Sequence, residues 1–170
     1  PLSRIAAGFA LFIVGVVVSG LYFTKNGNKN IEELTALKTE VKSMKEIVML
    51  KMLKEESPSD RIQAVNYSEA LTEPDQEILD ALANTLNNDR NVNVRIAAAY
   101  SLSRFSRRRE VRDTLLAALN KQTEPIVQVI LMNILVDLKE TRAIQPMQQI
   151  IKDNTSLKEV KDVAQKGVST

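Results

Sequence analysis

The chain has 170 residues, with 23 Lys and Arg against 21 Asp and Glu, so its formal charge of +2 provides no strong overall field for attracting nucleic acid. It contains neither Cys nor His, which excludes disulfides, thiol nucleophiles and the commonest metal ligands and general bases. No glycine lies between residues 28 and 166, which excludes a phosphate-binding glycine-rich loop from that region.

The first element is an uncharged apolar segment, Ile5–Phe23, after a short flank at residues 1–4. Its nineteen residues would extend about 28 Å as a helix, close to the hydrocarbon thickness of a bilayer. A secretory signal is the alternative, but signal cores are usually only about 7–15 residues long. We therefore predict a transmembrane helix at residues 5–23. The chain begins with Pro1, so we also expect it to be a piece of a longer protein.

Three small residues mark one side of this segment. Gly8, Gly15 and Ser19 are separated by seven and four residues, which places them on the same helix face. Small side chains allow two membrane helices to approach closely, so this face predicts helix packing, although Gly is simply common in such helices. One basic residue precedes the segment and two follow it, a difference too small to decide its orientation.

Residues 24–30 form a polar linker, and residues 31–56 are predicted to form an amphipathic stalk helix. Apolar residues at alternating steps of three and four form a short heptad seam: Leu34, Leu37, Val41, Met44 and Val48. This seam covers barely two heptads, whereas a coiled-coil assignment usually needs about three or four. The dense apolar residues between Ile47 and Leu53 instead favour a helix whose C-terminal half caps the following domain. A homo-oligomeric coiled coil is the alternative.

The remainder of the chain, residues 57–170, is an internal repeat. Similar segments begin at four positions: Arg61, Arg95, Gln128 and Lys161. Their spacings are 34, 33 and 33 residues, and proline near several helix starts divides each unit into two helices. One amphipathic pair cannot bury its own apolar face, so such pairs are stable when they stack. The pattern predicts an all-α fold, a short α-solenoid of three helical pairs with a closing helix.

Residues 88–102 carry a more specific pattern. Asp89 lies in a turn, Val94 and Arg95 open the next helix, and a run of alanines follows at residues 97–99. This segment resembles a HEAT repeat. The resemblance implies structural roles for the motif Asp89, Val94 and Arg95: the Asp and Arg tie the turns of adjacent repeats together, and the alanines let helices pack closely.

The whole chain is also similar to a group of bacterial membrane-anchored HEAT-repeat proteins that carry an N-terminal zinc finger of the anti-sigma-factor type. The residues that carry this resemblance are Ile5–Phe23, Leu37–Ser59, Leu86–Arg95 and Pro125–Glu140. The resemblance implies a single-pass protein of the bacterial inner (cytoplasmic) membrane with its HEAT domain on the periplasmic, extracytoplasmic side. The zinc finger itself is absent from this chain, so no residue here receives a sigma-binding role.

Positive charge is concentrated between residues 88 and 112, which hold seven Arg against two acidic residues. Five of these arginines form a candidate patch for an anionic partner: Arg104, Arg107, Arg108, Arg109 and Arg112. A solvated loop between helices is the alternative. The nearby aromatic residues, Tyr100 and Phe105, have the spacing of helical core positions, which argues against stacking on nucleic-acid bases.

The sequence contains no catalytic constellation, so we expect no enzyme activity and no metal or other cofactor. The best interpretation is a membrane-anchored scaffold or regulatory arm that binds a protein partner, with Ile5–Phe23 in the lipid bilayer, as in the sensor half of an anti-sigma-like protein. The alternative is an accessory or assembly subunit of a larger membrane complex, or a homo-oligomer. A nucleic-acid adaptor is a third class, and it predicts binding that falls steeply with salt.

Overall fold

A computed structural model of the chain describes residues 31–169, and every regular element in this range is helical. The predicted span at 5–23, with Gly8, Gly15 and Ser19, and the linker at 24–30 lie outside the described residues. Within the described part, no helix has both the length and the apolar character needed to cross a membrane. The chain divides into a unit at Pro1–Met44 and a compact domain at Lys45–Thr170.

Residues 31–52 are helical and are called α1, and the predicted stalk thus loses its helical structure before residue 56. Within the compact domain, Met49 is fully buried, and Leu50, Met52 and Leu53 pack against the core. The C-terminal end of α1 is therefore part of the domain, in the way that its dense apolar residues predict.

Seven helices follow between residues 58 and 168: α2 (Pro58–Tyr67), α3 (Gln76–Asn88), α4 (Val92–Arg104), α5 (Arg109–Lys121), α6 (Pro125–Asp137), α7 (Ile144–Lys152) and α8 (Lys158–Val168). The even-numbered helices pack side by side in one layer, α2 on α4, α4 on α6 and α6 on α8. Helices α3, α5 and α7 cover this layer, each of them packing against an adjacent even-numbered helix. Consecutive helices pack as α3 on α4, α5 on α6 and α7 on α8, so α8 is paired with α7 and does not form a separate closing helix. The layered stacking is the arrangement of a helical solenoid.

Local chemistry explains where several helices begin. The Ser57 side chain accepts a hydrogen bond from the Asp60 amide at the start of α2, and the Asn91 side chain accepts from two amides at the start of α4. Pro125 occupies the first position of α6, where a missing amide hydrogen has no cost to the helix.

The C-terminal end of α6 requires an unusual backbone conformation. Lys139 has a φ of 53°, in the left-handed region that normally favours glycine. The Glu140 amide then donates to the Leu135 carbonyl at 2.9 Å, and the Lys139 amide donates to the Val136 carbonyl at 2.9 Å. These two bonds form a Schellman motif, so the polypeptide reverses direction here without the usual glycine.

The core of the domain is centred on α4 and α6. Four residues of α6 are fully buried: Val127, Leu131, Met132 and Leu135. This helix is apolar nearly all round because it packs against α4, α5 and α8. On α4, Ala98 and Ala99 are fully buried, and their small side chains allow close contact with neighbouring helices.

Candidate protein-binding face

A buried ion pair fastens the first repeat to the second. The Arg61 guanidinium donates two hydrogen bonds to the Asp89 carboxylate, at 2.7 Å and 2.9 Å. Only 5% of the Arg61 side chain and 8% of the Asp89 side chain are exposed. Arg61 also donates to the carbonyls of Glu55 and Glu56, and Asp89 accepts from the Asn91 amide. This network joins the turn before α2 to the turn before α4.

The network also sets the charge state of its carboxyl group. Burial raises the pKa of Asp89, but the hydrogen bonds from Arg61 and from the Asn91 amide outweigh it, so the pKa lies below its usual value. Asp89 therefore stays ionised at neutral pH and acts as a structural anion.

The contacts that correspond to the Arg61–Asp89 ion pair are weaker in the next repeats. Arg95 lies one repeat after Arg61, but its nearest carboxylate is Glu124 at 3.8 Å, and its buried Nε has no hydrogen-bond partner. Gln122 occupies the turn before α6 and donates to the Leu86 carbonyl at 3.0 Å, so it offers Arg95 no negative charge. Gln128 replaces the arginine in the third repeat and donates to the Gln122 carbonyl at 2.8 Å. Val94, the third residue of the motif, is fully buried on α4.

Three of the five arginines in the predicted anionic patch have structural partners. Arg104 lies 3.8 Å from the Glu69 carboxylate. Arg108 donates to the Pro74 carbonyl ahead of α3, to the side chain of Gln76 at the start of α3, and to Glu110 at 2.7 Å. Arg112 donates to the Ser106 carbonyl at 2.6 Å and lies 3.5 Å from Glu140.

The side chains of the other two, Arg107 and Arg109, are exposed and form no hydrogen bond or ion pair with any described residue. The anionic docking patch stays a prediction, and these two are its cations without a partner among the described residues. A test of anionic docking must change Arg107 and Arg109 and leave Arg108 in place, because Arg108 holds the start of α3.

Glu140 is the centre of a second charged cluster, which the sequence analysis did not predict. Its carboxylate accepts two hydrogen bonds from Arg142, both at 2.7 Å, and its side chain is 9% exposed. Arg142 also contacts Asp113 on α5, at 2.5 Å. Hydrogen bonding from Arg142 lowers the pKa of Glu140 to about 2, against the opposing effect of burial.

We expect Glu140→Gln to lower the free energy of unfolding at pH 7 by about 1–2 kcal/mol, because a charge-assisted hydrogen-bond pair is lost. An unfolded glutamate titrates near pH 4.3, so the ionised Glu140 stabilises the fold fully above that pH and loses this effect as the pH falls towards 2. Urea unfolding from pH 7 down to pH 2 should show the difference from the wild type shrinking. The control is Glu73→Gln, because the Glu73 carboxylate is exposed and forms no ion pair with a described residue. A difference that stays constant with pH would contradict this assignment.

Exposed large hydrophobic residues are unevenly distributed over the two layers of helices. None lies on α3 or α5, whose exposed positions are mostly polar, and α7 of the same layer exposes Ile144 at 39%. On the other layer, Tyr67 of α2 is 39% exposed, Tyr100 of α4 is 50% exposed and Ile126 of α6 is 47% exposed. We call Tyr67, Tyr100, Ile126 and the exposed Asn133 of α6 the tyrosine face.

The residues that follow the two tyrosines contact each other. Ser68 and Ser101, the residues that follow them, are buried and share a hydrogen bond between their hydroxyl groups. This contact joins the residue after α2 to the last turn of α4, while Tyr67 and Tyr100 stay exposed. Aromatic side chains with a polar end are enriched in protein interfaces, so the tyrosine face has the chemistry of a binding surface.

Comparison with protein families identifies the repeat. A family model described as HEAT repeats matches residues 48–132 and again residues 79–168, which together cover well over half of the chain. The chain belongs to the HEAT-repeat family. HEAT repeats generally mediate protein–protein interactions. No curated protein matches this chain in sequence.

The core position predicted for Tyr100 is wrong, whereas the one predicted for Phe105 is confirmed. Tyr100 has no core position, because the buried residues of α4 include Val94, Ala98 and Leu102, which lie on another side of the helix. Phe105 does pack against the core, after the end of α4. A usable signal was present: Tyr67 and Tyr100 are 33 residues apart, one HEAT repeat, so they occupy corresponding positions on adjacent helices.

Proposed function

We propose that this HEAT-repeat protein is a non-enzymatic, membrane-anchored scaffold or regulatory arm that binds a protein partner through the tyrosine face. The observation that carries the proposal is the exposure of Tyr67 and Tyr100 at the same position of two successive repeats. Two rigid aromatic groups on adjacent helices give a partner a preorganised apolar contact with hydroxyl groups at its edge.

The membrane anchor in this proposal is Ile5–Phe23, and its support is the sequence alone: nineteen residues without a charge. The resemblance to anti-sigma-type membrane proteins supports a place in the bacterial inner membrane, with the HEAT domain on the extracytoplasmic side and a sensor role. The absence of His and Cys from the sequence supports a role without catalysis.

A photo-crosslinking amino acid placed at Tyr67 or at Tyr100 tests the binding face in cells that express the chain. Both positions should give an adduct of the same mass, whereas the same group at Asn84, an exposed polar position of α3, should give none. Tyr67→Ala combined with Tyr100→Ala should reduce partner capture by about tenfold or more without changing helicity, because both side chains are exposed. Adducts from Asn84 alone, or unchanged capture by the double variant, would refute this face.

The second candidate is an accessory or assembly subunit of a larger membrane complex, which is favoured by the common face of Gly8, Gly15 and Ser19. Rearranging Ile5–Phe23 into another apolar order separates the two candidates. The scaffold should keep its partner and stay in the membrane fraction after alkaline extraction. A complex subunit should lose its neighbours while its HEAT domain remains folded.

A further inference from the structure

A line of apolar side chains on α1 is exposed to solvent. These are the residues of the heptad seam, Leu34, Leu37, Val41, Met44 and Val48, with exposed fractions between 43% and 59%. A helix that exposes five large apolar residues at heptad spacing presents a surface for another helix. Within the compact domain, Val48 stays exposed although the next residue, Met49, is fully buried. Val48 and Met49 therefore lie on different sides of α1 within the compact domain.

The charges beside the seam indicate which helix it accepts. With Leu34, Val41 and Val48 at heptad position a, the flanking g positions hold Glu33 and Glu40 and the flanking e positions hold Lys38 and Lys45. All four side chains are exposed, and none forms an ion pair with a described residue. They are available for contacts between two helices.

These charges suit a second copy of the same helix in parallel. In a parallel pair, each g residue faces the e residue five positions later on the other helix, so Glu33 meets Lys38 and Glu40 meets Lys45. In an antiparallel pair, g faces g and e faces e, which opposes Glu to Glu and Lys to Lys. The charge pattern thus favours the parallel arrangement and disfavours the antiparallel one.

The residue types in the seam indicate that two helices pair. Val41 and Val48 are β-branched residues at position a, and Leu37 is at position d. This combination favours a coiled coil of two parallel helices. We infer that α1 pairs in parallel with α1 of a second copy of this chain through Leu34–Val48. The seam has five layers, so the contact is weak in dilute solution and depends on concentration. This inference does not rest on the tyrosine face, and it assigns an occupant to a different surface.

Disulfide cross-linking of the full chain tests the pairing, because the chain has no native cysteine. In a parallel pair, Leu37→Cys at position d faces its own counterpart at a distance that a disulfide can bridge. The matched control is Thr39→Cys, two residues away at the outer position f and also exposed. Mild oxidation in detergent or lipid vesicles should give at least about ten times more covalent dimer from Leu37→Cys. Equal yields from the two variants would overturn the inference.

Charge exchange separates this contact from association through Ile5–Phe23. In the Leu37→Cys background, Glu33→Lys with Glu40→Lys should lower the dimer yield about tenfold, because like charges then face each other. Lys38→Glu with Lys45→Glu should do the same. A mixture of the two variants should restore the yield as a heterodimer, because every e–g contact is again of opposite charge. Unchanged yields in the separate variants, or no recovery in the mixture, would overturn the inference.

Discussion

Asp89→Ala should lower the free energy of unfolding by about 3–5 kcal/mol, because it leaves the Arg61 guanidinium buried without its counter-charge. The Glu55 and Glu56 carbonyls would still accept from Arg61, but neither carries a full negative charge. Urea unfolding of the full chain, followed by circular dichroism, measures the effect. Because the pKa of Asp89 is lowered in the fold, its contribution is present above the pKa of unfolded Asp and is lost as the pH falls through the folded value.

The matched control for this prediction is a neighbouring ion pair of the same charge types. Arg90 is 67% exposed and lies 3.9 Å from the Glu56 carboxylate, so Arg90→Ala should change the stability by less than about 1 kcal/mol. Replacing both buried partners, Arg61→Leu with Asp89→Leu, should recover part of the loss because no unpaired charge remains in the interior. If Asp89→Ala costs no more than Arg90→Ala, the buried pair does not fasten the first two repeats.

Leu131→Ala should lower the free energy of unfolding by about 2–5 kcal/mol. Leu131 is fully buried on α6, and this helix packs against α4, α5 and α8, so the cavity would weaken contacts on both sides of the third repeat. The measurement is again urea unfolding of the full chain.

Ile126→Ala on the same helix is the control, because Ile126 is 47% exposed. This change should cost less than about 1 kcal/mol, since much of the removed surface already contacts water. In a stack of repeats, each repeat contacts only the adjacent repeats. The loss of stability caused by Leu131→Ala should therefore also make the unfolding transition less cooperative. Equal costs for the two replacements would show that α6 does not form the core.

Much of the fold could be predicted from the sequence, because helices are encoded by local spacing. Apolar residues at helical periods and proline near the helix starts indicate two helices per unit, and the segments beginning at Arg61, Arg95 and Gln128 indicate the repeat. The segment at residues 88–102 was sufficient to suggest the HEAT family, which the family match confirms. Residue spacing along one helix also identified the apolar seam on α1.

The candidate sites could not be predicted in the same way. A count of charges gave five cations to the patch around Arg107, although Arg104 and Arg108 contact residues 32 to 35 positions earlier in the chain. The cluster at Glu140 was missed because it also depends on a contact between repeats: Arg142, the partner of Glu140, contacts Asp113 one repeat earlier. Tyr100 was assigned to the core because its spacing along α4 does not reveal which side of that helix the neighbouring helices cover.

By itself the sequence determined the all-helical class, the pitch of about one repeat every 33 residues and the absence of His and Cys chemistry. The tertiary structure alone decided which arginines are neutralised and which aromatic side chains remain exposed. The physical reason is the separation between interacting groups. Helical periodicity acts between residues three or four apart, whereas the contacts that neutralise charge or cover a side chain here join adjacent repeats, such as Arg61 with Asp89 and Ser68 with Ser101.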